Sequence, residues 1–305
     1  MEVGWLQAIL LGILQGLTEF LPVSSTAHME IAPQLMGQQD PGAAFSAIVQ
    51  LGPIVAIIAY FRNDLIRYVQ GVLRTKSPKN VAPDDLDARL GWYVIFASLP
   101  GLILGFVLHK QVETILRELH LVAIGLIVFA AILFVAEKIG KQNVPLDKMT
   151  LSQSQAVGWA QVLSLVPGVS RSGATITAGL FMGLDRASAA RFSFLLGIPY
   201  ITAAGIYQLY KTISAARHAA NGIQELLAAI GPYLLAMVVA GFFAYVVIRW
   251  FLSYMKEHNT LGFVLYRIAL GILLLVLLQM GKLHNIPKET EPIVEKTTSG
   301  VSLAP

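Results

Sequence analysis

The sequence LPVSST, residues 21–26, breaks an apolar stretch that runs from about residue 4 to 28. The sequence VPGVSRSGAT, residues 166–175, breaks a second apolar stretch, from about 155 to 184. In each break a proline removes a backbone donor and clashes with the preceding helical turn, and small hydroxyl residues follow. Such backbone is tolerated at membrane depth only where protein or a water-filled cavity surrounds it. Both stretches are therefore predicted to be re-entrant helix–loop–helix hairpins.

Other apolar segments are long enough to cross a bilayer, which takes about 20 residues. Six segments qualify: 42–61, 91–109, 119–136, 189–208, 228–250 and 260–280. Only 13% of the 305 residues are charged, against about 25% in a soluble domain. This excludes a disordered chain, a coiled coil and an ordinary soluble enzyme. The sequence predicts an all-α polytopic membrane protein with six transmembrane helices and two hairpins.

Lys and Arg residues are distributed unevenly between the loops. Thirteen of them lie in loops that six spans would place on one face: 62–90, 137–154, 185–191 and 249–259. The other face and the tail together hold seven. The positive-inside rule makes the thirteen-charge face cytoplasmic, so both termini are expected outside and the first hairpin enters from outside. Because the basic residues are spread over many loops, the net charge of +4 does not indicate nucleic-acid binding.

The two halves of the chain resemble each other in order and spacing. Each half contains one broken stretch followed by three spans. Pro22 and Pro167 lie 145 residues apart, and so do Leu51-Gly52 and Leu196-Gly197. Because three spans per half invert the second copy, the pattern predicts an inverted-topology repeat. Inverted repeats with broken helices place a polar site near the bilayer midplane.

We therefore predict one membrane domain, residues 1–281, with repeat one at 1–136 and repeat two at 155–281. Residues 282–305 are rich in Lys, Glu, Pro and Thr and are expected to form a solvated, disordered tail. Cysteine is absent, so disulfides and thiolate chemistry are excluded. Bilayer lipids are expected partners, and a homodimer is left open.

Ionisable and hydroxyl side chains cluster around the two breaks. An ionisable group inside a bilayer costs roughly 2.5–3.5 kcal/mol on insertion scales. The first cluster consists of Gln15, Glu19, Ser24, Ser25, Thr26 and His28. The second consists of Ser170, Arg171, Ser172, Thr175 and Thr177. An arginine fork with a small-residue loop suits a tetrahedral oxyanion such as phosphate, and a hydroxyl or imidazole beside a carboxylate suits transfer of that group.

These residues also have ordinary structural alternatives. Ser and Thr in membrane helices often hydrogen-bond the backbone, Glu19 could be only a partner for Arg171, and His28 could be an interfacial residue. A passive role is disfavoured for Arg171, because it lies at a predicted mid-membrane helix break. Arg267 lies about two turns inside the last predicted span. We expect its side chain to extend to the membrane surface.

The segment QGLTEFLPVSSTAH, residues 15–28, closely resembles the signature of the bacterial undecaprenyl-pyrophosphate phosphatases, the bacitracin-resistance family. The segment PGVSRSGAT, residues 167–175, resembles the second signature of that family. The resemblance covers about residues 1–281. It departs at Gln15, where some members have Glu, and at Ala27, where Gly is usual. The first loop is therefore expected to need less extreme backbone angles than the family pattern implies.

The resemblance implies an enzyme that hydrolyses undecaprenyl pyrophosphate to undecaprenyl phosphate and inorganic phosphate, with a divalent cation, in the bacterial plasma membrane. Such an enzyme recycles the lipid carrier for cell-wall synthesis and confers resistance to bacitracin. The charge distribution independently puts Ser25 and His28 in the hairpin that enters from outside. The active site is thus expected to open to the outer, periplasmic face.

In the expected mechanism Ser25 is the first choice of nucleophile, and His28 or Glu19 takes its proton. His28 as the direct nucleophile is an alternative. Arg171 is expected to bind phosphate oxygens together with five hydroxyl residues: Ser24, Thr26, Ser170, Ser172 and Thr175. Glu19 and the amide oxygen of Gln15 are the expected metal ligands. They suit Mg²⁺ or Ca²⁺ bound weakly and completed by substrate oxygens and water.

Three other functions fit parts of the pattern. A secondary transporter or flippase of a prenyl phosphate lipid would share the broken helices but has little use for a nucleophile beside a base. An intramembrane serine protease would use Ser25 and His28 but has no need of Arg171. In a phosphatidic-acid-type phosphatase a His follows six residues after the Arg, and Thr177 stands there in this sequence.

Overall fold

The computed structural model describes residues 3–38, 40–108, 118–218 and 222–285. This part of the chain contains eleven α-helices and no β-strand beyond an isolated bridge between Val144 and Leu184. The helices are α1 Trp5–Thr18, α2 Ser25–Leu35, α3 Gly42–Val49, α4 Leu51–Thr75, α5 Leu86–Val107, α6 Leu119–Ile139, α7 Leu151–Val162, α8 Arg171–Phe181, α9 Arg186–His218, α10 Gly222–Glu257 and α11 Leu261–Gln279. The predicted polar tail lies almost wholly outside the described residues.

Six stretches of the described chain are long and apolar enough to cross a membrane. They are Phe45–Thr75, Leu86–Val107, Leu119–Ile139, Arg186–His218, Ile230–Glu257 and Leu261–Gln279. The predicted all-helical class and the six predicted spans are thereby confirmed. Several helices run further than the sequence predicted, as α4 does to Thr75 and α10 to Glu257. Hydropathy marks only the part of a helix in the bilayer core, whereas the helix itself continues to its cap.

Two pairs of short helices flank the two breaks. Helix α1 ends at Thr18 and α2 begins at Ser25, while α7 ends at Val162 and α8 begins at Arg171. The four helices have 14, 11, 12 and 11 residues. Each is shorter than the roughly 20 residues that a spanning helix needs. The helices are interrupted at the prolines and hydroxyl residues, as the sequence predicted.

Helix packing brings the two breaks together. Helix α1 of the first short pair packs chiefly on α10, which belongs to the second half of the chain. Helix α7 of the second short pair packs on its partner α8 and on α5, which belongs to the first half. The hydroxyl of Ser172 donates a 2.8 Å hydrogen bond to the carbonyl oxygen of Leu21, which joins the breaks directly. The buried ring of Phe20 packs against Phe194 of α9, with the ring centroids 5.0 Å apart and the planes tilted by 59°. These contacts fix the first break against the second half of the molecule.

Candidate active site

A polar cavity of about 180 Å³ lies where the two breaks meet. Six predicted site residues line it: Glu19, Ser24, Ser25, Thr26, Ser170 and Arg171. The rest of the wall consists of Gln50, Ser164, Val166, Pro167, Gly168, Tyr200, Ile201 and Ala204. One space is therefore shared by the hydroxyls and carboxylate of the first break and the guanidinium of the second.

The first break is shaped by Ser24, whose backbone has φ +70°. A positive φ is uncommon for a residue with a side chain. Here the Ser24 hydroxyl accepts a hydrogen bond from the Ala27 N–H and caps α2, as serine does at helix N-termini. At Ala27, the position on which the expectation of less extreme angles rested, the chain is helical and φ is not positive. The chain needs a sharp turn before α2, and it takes that turn at Ser24 rather than at Ala27.

Ser25 begins α2 and lies against the carboxylate of Glu19. Its hydroxyl donates a 2.8 Å hydrogen bond to Oε2 of Glu19. Nε2 of Gln15 donates to the same oxygen at 2.8 Å, while Oε1 of Glu19 lies 3.6 Å from Nη2 of Arg171. A carboxylate that already accepts the hydroxyl hydrogen is placed to take that proton when the oxygen attacks.

The second break repeats the same local geometry. Ser170 also has φ +70°, and its hydroxyl accepts from the Gly173 N–H at 3.1 Å to cap α8. Arg171 follows it and donates from Nη1 to the Ser193 carbonyl at 3.0 Å. Its Nε and Nη2 have no hydrogen-bond acceptor among the described residues. A Cβ at Gly197 would overlap this guanidinium, so the glycine gives it room. Arg171 thus holds unused donors at a cavity wall.

His28 lies behind the cavity wall rather than on it. Its Nδ1 is 2.8 Å from the Ser24 carbonyl oxygen, and its Nε2 is 2.6 Å from the Tyr266 hydroxyl. A carbonyl only accepts, so Nδ1 carries a hydrogen, and in the neutral ring Nε2 accepts from Tyr266. The two rings are stacked, 5.7 Å apart. In this arrangement Glu19, not His28, is hydrogen-bonded to Ser25.

Three further predicted site residues also lie off the wall. Gln15 is fully buried beside Glu19. Ser172 donates to the Leu21 carbonyl, and Thr175 donates to the Arg171 carbonyl at 2.8 Å. The side chains of Ser172 and Thr175 therefore stabilise the backbone of the breaks and do not line the cavity.

Sequence reasoning missed four residues at this site: Gln50, Ser164, Tyr200 and Tyr266. Gln50, Ser164 and Tyr200 line the cavity, and Tyr266 holds His28. A polar side chain inside a predicted span was the available signal for Gln50, Tyr200 and Tyr266.

The prediction for Arg267 was wrong. Its side chain does not extend to the membrane surface but is 0% exposed in the protein interior. Its guanidinium donates to backbone carbonyls of both breaks and of α6. Hydropathy could not reveal this, because an apolar span does not show which of its sides faces protein.

The side chains near Glu19 offer some, but not all, of the oxygen ligands that a hard cation needs. The described residues contain no group of three or more His, Asp or Glu side chains able to hold a metal ion. Oε1 of Gln15 is buried and has no hydrogen-bond partner among them, and Oε1 of Glu19 makes only the long contact to Arg171. Two such oxygens fit Mg²⁺ or Ca²⁺ when substrate supplies the other ligands.

The fold and the cavity define a multi-pass helical membrane protein whose interior carries a hydroxyl, a carboxylate and a guanidinium at one polar site. A family model described as bacitracin resistance protein BacA matches residues 8–273. The chain belongs to this family.

Its relatives cover nearly the whole chain. A protein named undecaprenyl-diphosphatase from Pseudarthrobacter chlorophenolicus is 46% identical over 285 residues, which cover 92% of this chain and 99% of the relative. Proteins with the same name from Renibacterium salmoninarum and Chloroherpeton thalassium are 45% and 42% identical. They cover 91% and 92% of this chain and 97% and 98% of their own lengths.

Proposed function

We propose that this chain is an integral membrane phosphatase that hydrolyses undecaprenyl pyrophosphate to undecaprenyl phosphate and inorganic phosphate. In this role it recycles the lipid carrier for cell-wall synthesis and confers bacitracin resistance. One observation carries the proposal: Ser25 is hydrogen-bonded to Glu19, and the same carboxylate faces Arg171 from the other break. The BacA family and the relatives named undecaprenyl-diphosphatase support the same activity.

The first chemical step transfers the terminal phosphoryl group to Ser25. The Ser25 oxygen attacks the terminal phosphorus in line while Glu19 takes its proton. The bond from this phosphorus to the bridging oxygen breaks, and the bridging oxygen stays with the departing prenyl monophosphate. Arg171 and Ser170 bind the phosphoryl oxygens, whose charge is redistributed in the transition state. Water then attacks the phosphoserine, Glu19 returns a proton to the serine oxygen, and inorganic phosphate leaves.

We assign the nucleophile to Ser25 rather than His28 on contact geometry. The Ser25 hydroxyl is on the cavity wall with its proton acceptor in place. Both ring nitrogens of His28 are engaged, one by Ser24 and one by Tyr266. His28 would have to lose the Tyr266 hydrogen bond before Nε2 could attack phosphorus. Its role in this proposal is to hold the turn at Ser24.

The proposed cofactor is a weakly held Mg²⁺ or Ca²⁺. Glu19 would supply a carboxylate oxygen and Gln15 an amide oxygen, and the pyrophosphate and water would supply the other ligands. When bound there, such a cation would neutralise phosphate charge. Residues of the chain do the remaining work: Arg171 orients the anion and Ser25 attacks it.

The proposed architecture is an inverted repeat whose two short-helix pairs are re-entrant hairpins. Ser24 and Ser170 cap equivalent helices with the same φ of +70°. Gly12 in α1 packs against the backbone of α10, and Gly158 in α7 packs against the backbone of α5. Ser24 and Ser170, like Gly12 and Gly158, lie 146 residues apart, one more than the 145 that separate Pro22 from Pro167. Each hairpin would return to its side of entry, so six spans leave both termini on one face.

We further propose a location in the bacterial plasma membrane with both termini outside. The cavity then opens toward the outer, periplasmic face, where the first hairpin enters. This orientation rests on the thirteen Lys and Arg on the opposite face. Bilayer lipids would surround the six spans, and a homodimer is compatible with the exposed apolar surface of the spans.

The main alternative is a secondary transporter or flippase of a prenyl phosphate lipid, which inverted repeats would also suit. Phosphate release from a prenyl pyrophosphate by purified chain in detergent separates the two, since detergent sustains no transmembrane gradient. We expect orthophosphate in the presence of Mg²⁺ or Ca²⁺ and none with excess chelator. Binding of the lipid without orthophosphate under both conditions would favour the carrier.

A further inference from the structure

Arg267 of α11 is the most completely enclosed charge in the described chain, at 0% exposure. Its guanidinium lies among five backbone carbonyl oxygens: those of Pro22, Gly125, Leu126, Gly168 and Val169. The shortest hydrogen bond runs 2.9 Å to Val169, and the one to Pro22 measures 3.2 Å. Among the described residues it forms no ion pair with a carboxylate. A buried cation without a counter-ion is costly to maintain, so its position demands an explanation.

The carbonyls that Arg267 binds come from both breaks. Pro22 lies two residues before Ser24 in the first break, and Gly168 and Val169 directly precede Ser170 in the second. One rigid side chain therefore spans the gap between the two loops. Within the described part of the chain, the hydrogen bond from Ser172 to the carbonyl oxygen of Leu21, one residue before Pro22, also joins the two loops.

Binding these carbonyls also determines where the neighbouring N–H groups point. In a trans peptide the N–H points opposite to the C=O. Because Arg267 holds the Val169 carbonyl, it orients the Ser170 N–H away from itself, and Ser170 lines the cavity. Through the same contacts, the carbonyl oxygens of Pro22, Gly168 and Val169 point toward the guanidinium of Arg267. Because these oxygens are the negative ends of peptide dipoles, they would repel an anionic substrate if they pointed into the cavity instead.

We infer that Arg267 is a positioning residue, which clamps the two breaks at the spacing that lets Ser25 and Arg171 act on one phosphoryl group. This inference rests on the phosphatase function proposed above. Arg267 is not on the cavity wall, so it acts through the backbone that carries the wall residues. Its guanidinium geometry is needed, because it donates from three separate nitrogens to carbonyls on different segments, whereas the three donors of an ammonium share one nitrogen.

Gly173 provides an independent way to disturb the clamp. A Cβ added at Gly173 would lie 2.6 Å from Nη1 of Arg267, closer than a carbon can approach without displacing the guanidinium. The same Cβ would lie 3.1 Å from Cβ of Ser170, so Gly173→Ala displaces Arg267 most strongly and crowds Ser170 as well, while keeping every charge in the protein. A matched control is Gly262→Ala on α11, where the added Cβ would meet only the Tyr254 hydroxyl at 4.0 Å.

The test measures kcat and KM for orthophosphate release from a prenyl pyrophosphate by the full chain in detergent. We expect Arg267→Ala and Gly173→Ala to lower kcat by about 100-fold, the effect of a roughly 1 Å misplacement, and to change KM by less than about threefold because Arg171 still binds the anion. Added guanidinium should restore a large part of kcat to Arg267→Ala alone. Gly262→Ala should match the native chain.

A native kcat in Gly173→Ala, or a folded Arg267→Ala chain that guanidinium does not restore, would overturn the inference. If Arg267→Ala elutes as an aggregate, the inference is tested by the kcat and KM of Gly173→Ala alone. An absence of orthophosphate from the native chain is a different result, because it contradicts the proposed function and not the clamp.

Discussion

Oε1 of Glu19 lies 3.6 Å from Nη2 of Arg171, with both side chains less than a tenth exposed. The pair joins the two breaks of the chain, yet it is longer than a hydrogen bond. Glu19 uses its other oxygen to accept from Ser25. Arg171 leaves Nη2 without an acceptor and lies 5.9 Å from the ring of Phe20. A loose pair of this kind leaves the guanidinium available to a phosphate oxygen.

The variant Glu19→Gln tests the proton acceptor. It keeps the size of the side chain but removes the group that takes the Ser25 proton, so we expect kcat for orthophosphate release to fall by about 100-fold or more. The matched control is Glu118→Gln, an exposed residue before α6, which should leave kcat unchanged. Near-native turnover in Glu19→Gln would mean that another group accepts the proton.

The variant Arg171→Lys tests the phosphate-binding role. Lysine keeps the charge but loses the planar fork, so kcat/KM should fall by about 100-fold, as for loss of a preorganised donor. Arg62→Lys is the control, because Arg62 is exposed and its hydrogen bond among the described residues goes to the Ala59 carbonyl. An Arg171→Lys enzyme with unchanged kcat/KM would show that charge alone suffices at this position.

The variant Tyr266→Phe separates the two candidate nucleophiles. It removes the donor to Nε2 of His28 while the Ser24 carbonyl still holds Nδ1. If His28 only supports the turn, kcat should fall modestly, by about tenfold or less, since one neutral hydrogen bond is worth about 1 kcal/mol. The exposed Tyr210→Phe serves as control. A rise in turnover, or an acid-labile phosphoprotein typical of phosphohistidine, would contradict the assignment to Ser25.

Metal analysis of purified, substrate-free chain tests the weak cation site. With only Gln15 and Glu19 as expected ligands, we predict far less than one Mg²⁺ or Ca²⁺ per chain after dialysis. Chelator should abolish orthophosphate release, and either cation should restore it. One tightly held metal ion per chain in the absence of substrate would contradict a site completed by pyrophosphate.

Local features of this fold were readable from the sequence, whereas contacts between distant segments were not. Proline followed by hydroxyl residues located both breaks, since the effect of proline on a helix is local. The contact of Ser25 with Glu19 joins residues six positions apart across one turn. The hydrogen bonds of Arg267 to both breaks depend instead on how α11 packs on α6. Because α11 is apolar on all sides around Arg267, its sequence does not show which side faces α6. Arg267 was therefore predicted to extend to the membrane surface.

The candidate active site, like the fold, was predictable where its residues lie within the two motifs and not where they come from other helices. Six wall residues of the breaks were expected because their types suit phosphate chemistry, whereas Ser164 of the second break was not. Ser172 and Thr175 have the same side-chain chemistry as Ser170, but the helical geometry of α8 turns them toward backbone carbonyls. Tyr200 enters the cavity from α9, which no spacing within the motifs could indicate.

The most direct test of the central claim compares orthophosphate release by native chain and by Ser25→Ala, purified in detergent with Mg²⁺ and a prenyl pyrophosphate. Ser253→Ala, at an exposed position on α10, controls for loss of a serine. We predict that Ser25→Ala elutes as the native chain does and releases phosphate at less than about 1% of the native rate, because it lacks the nucleophile. Release at more than a few per cent by folded Ser25→Ala would contradict the account.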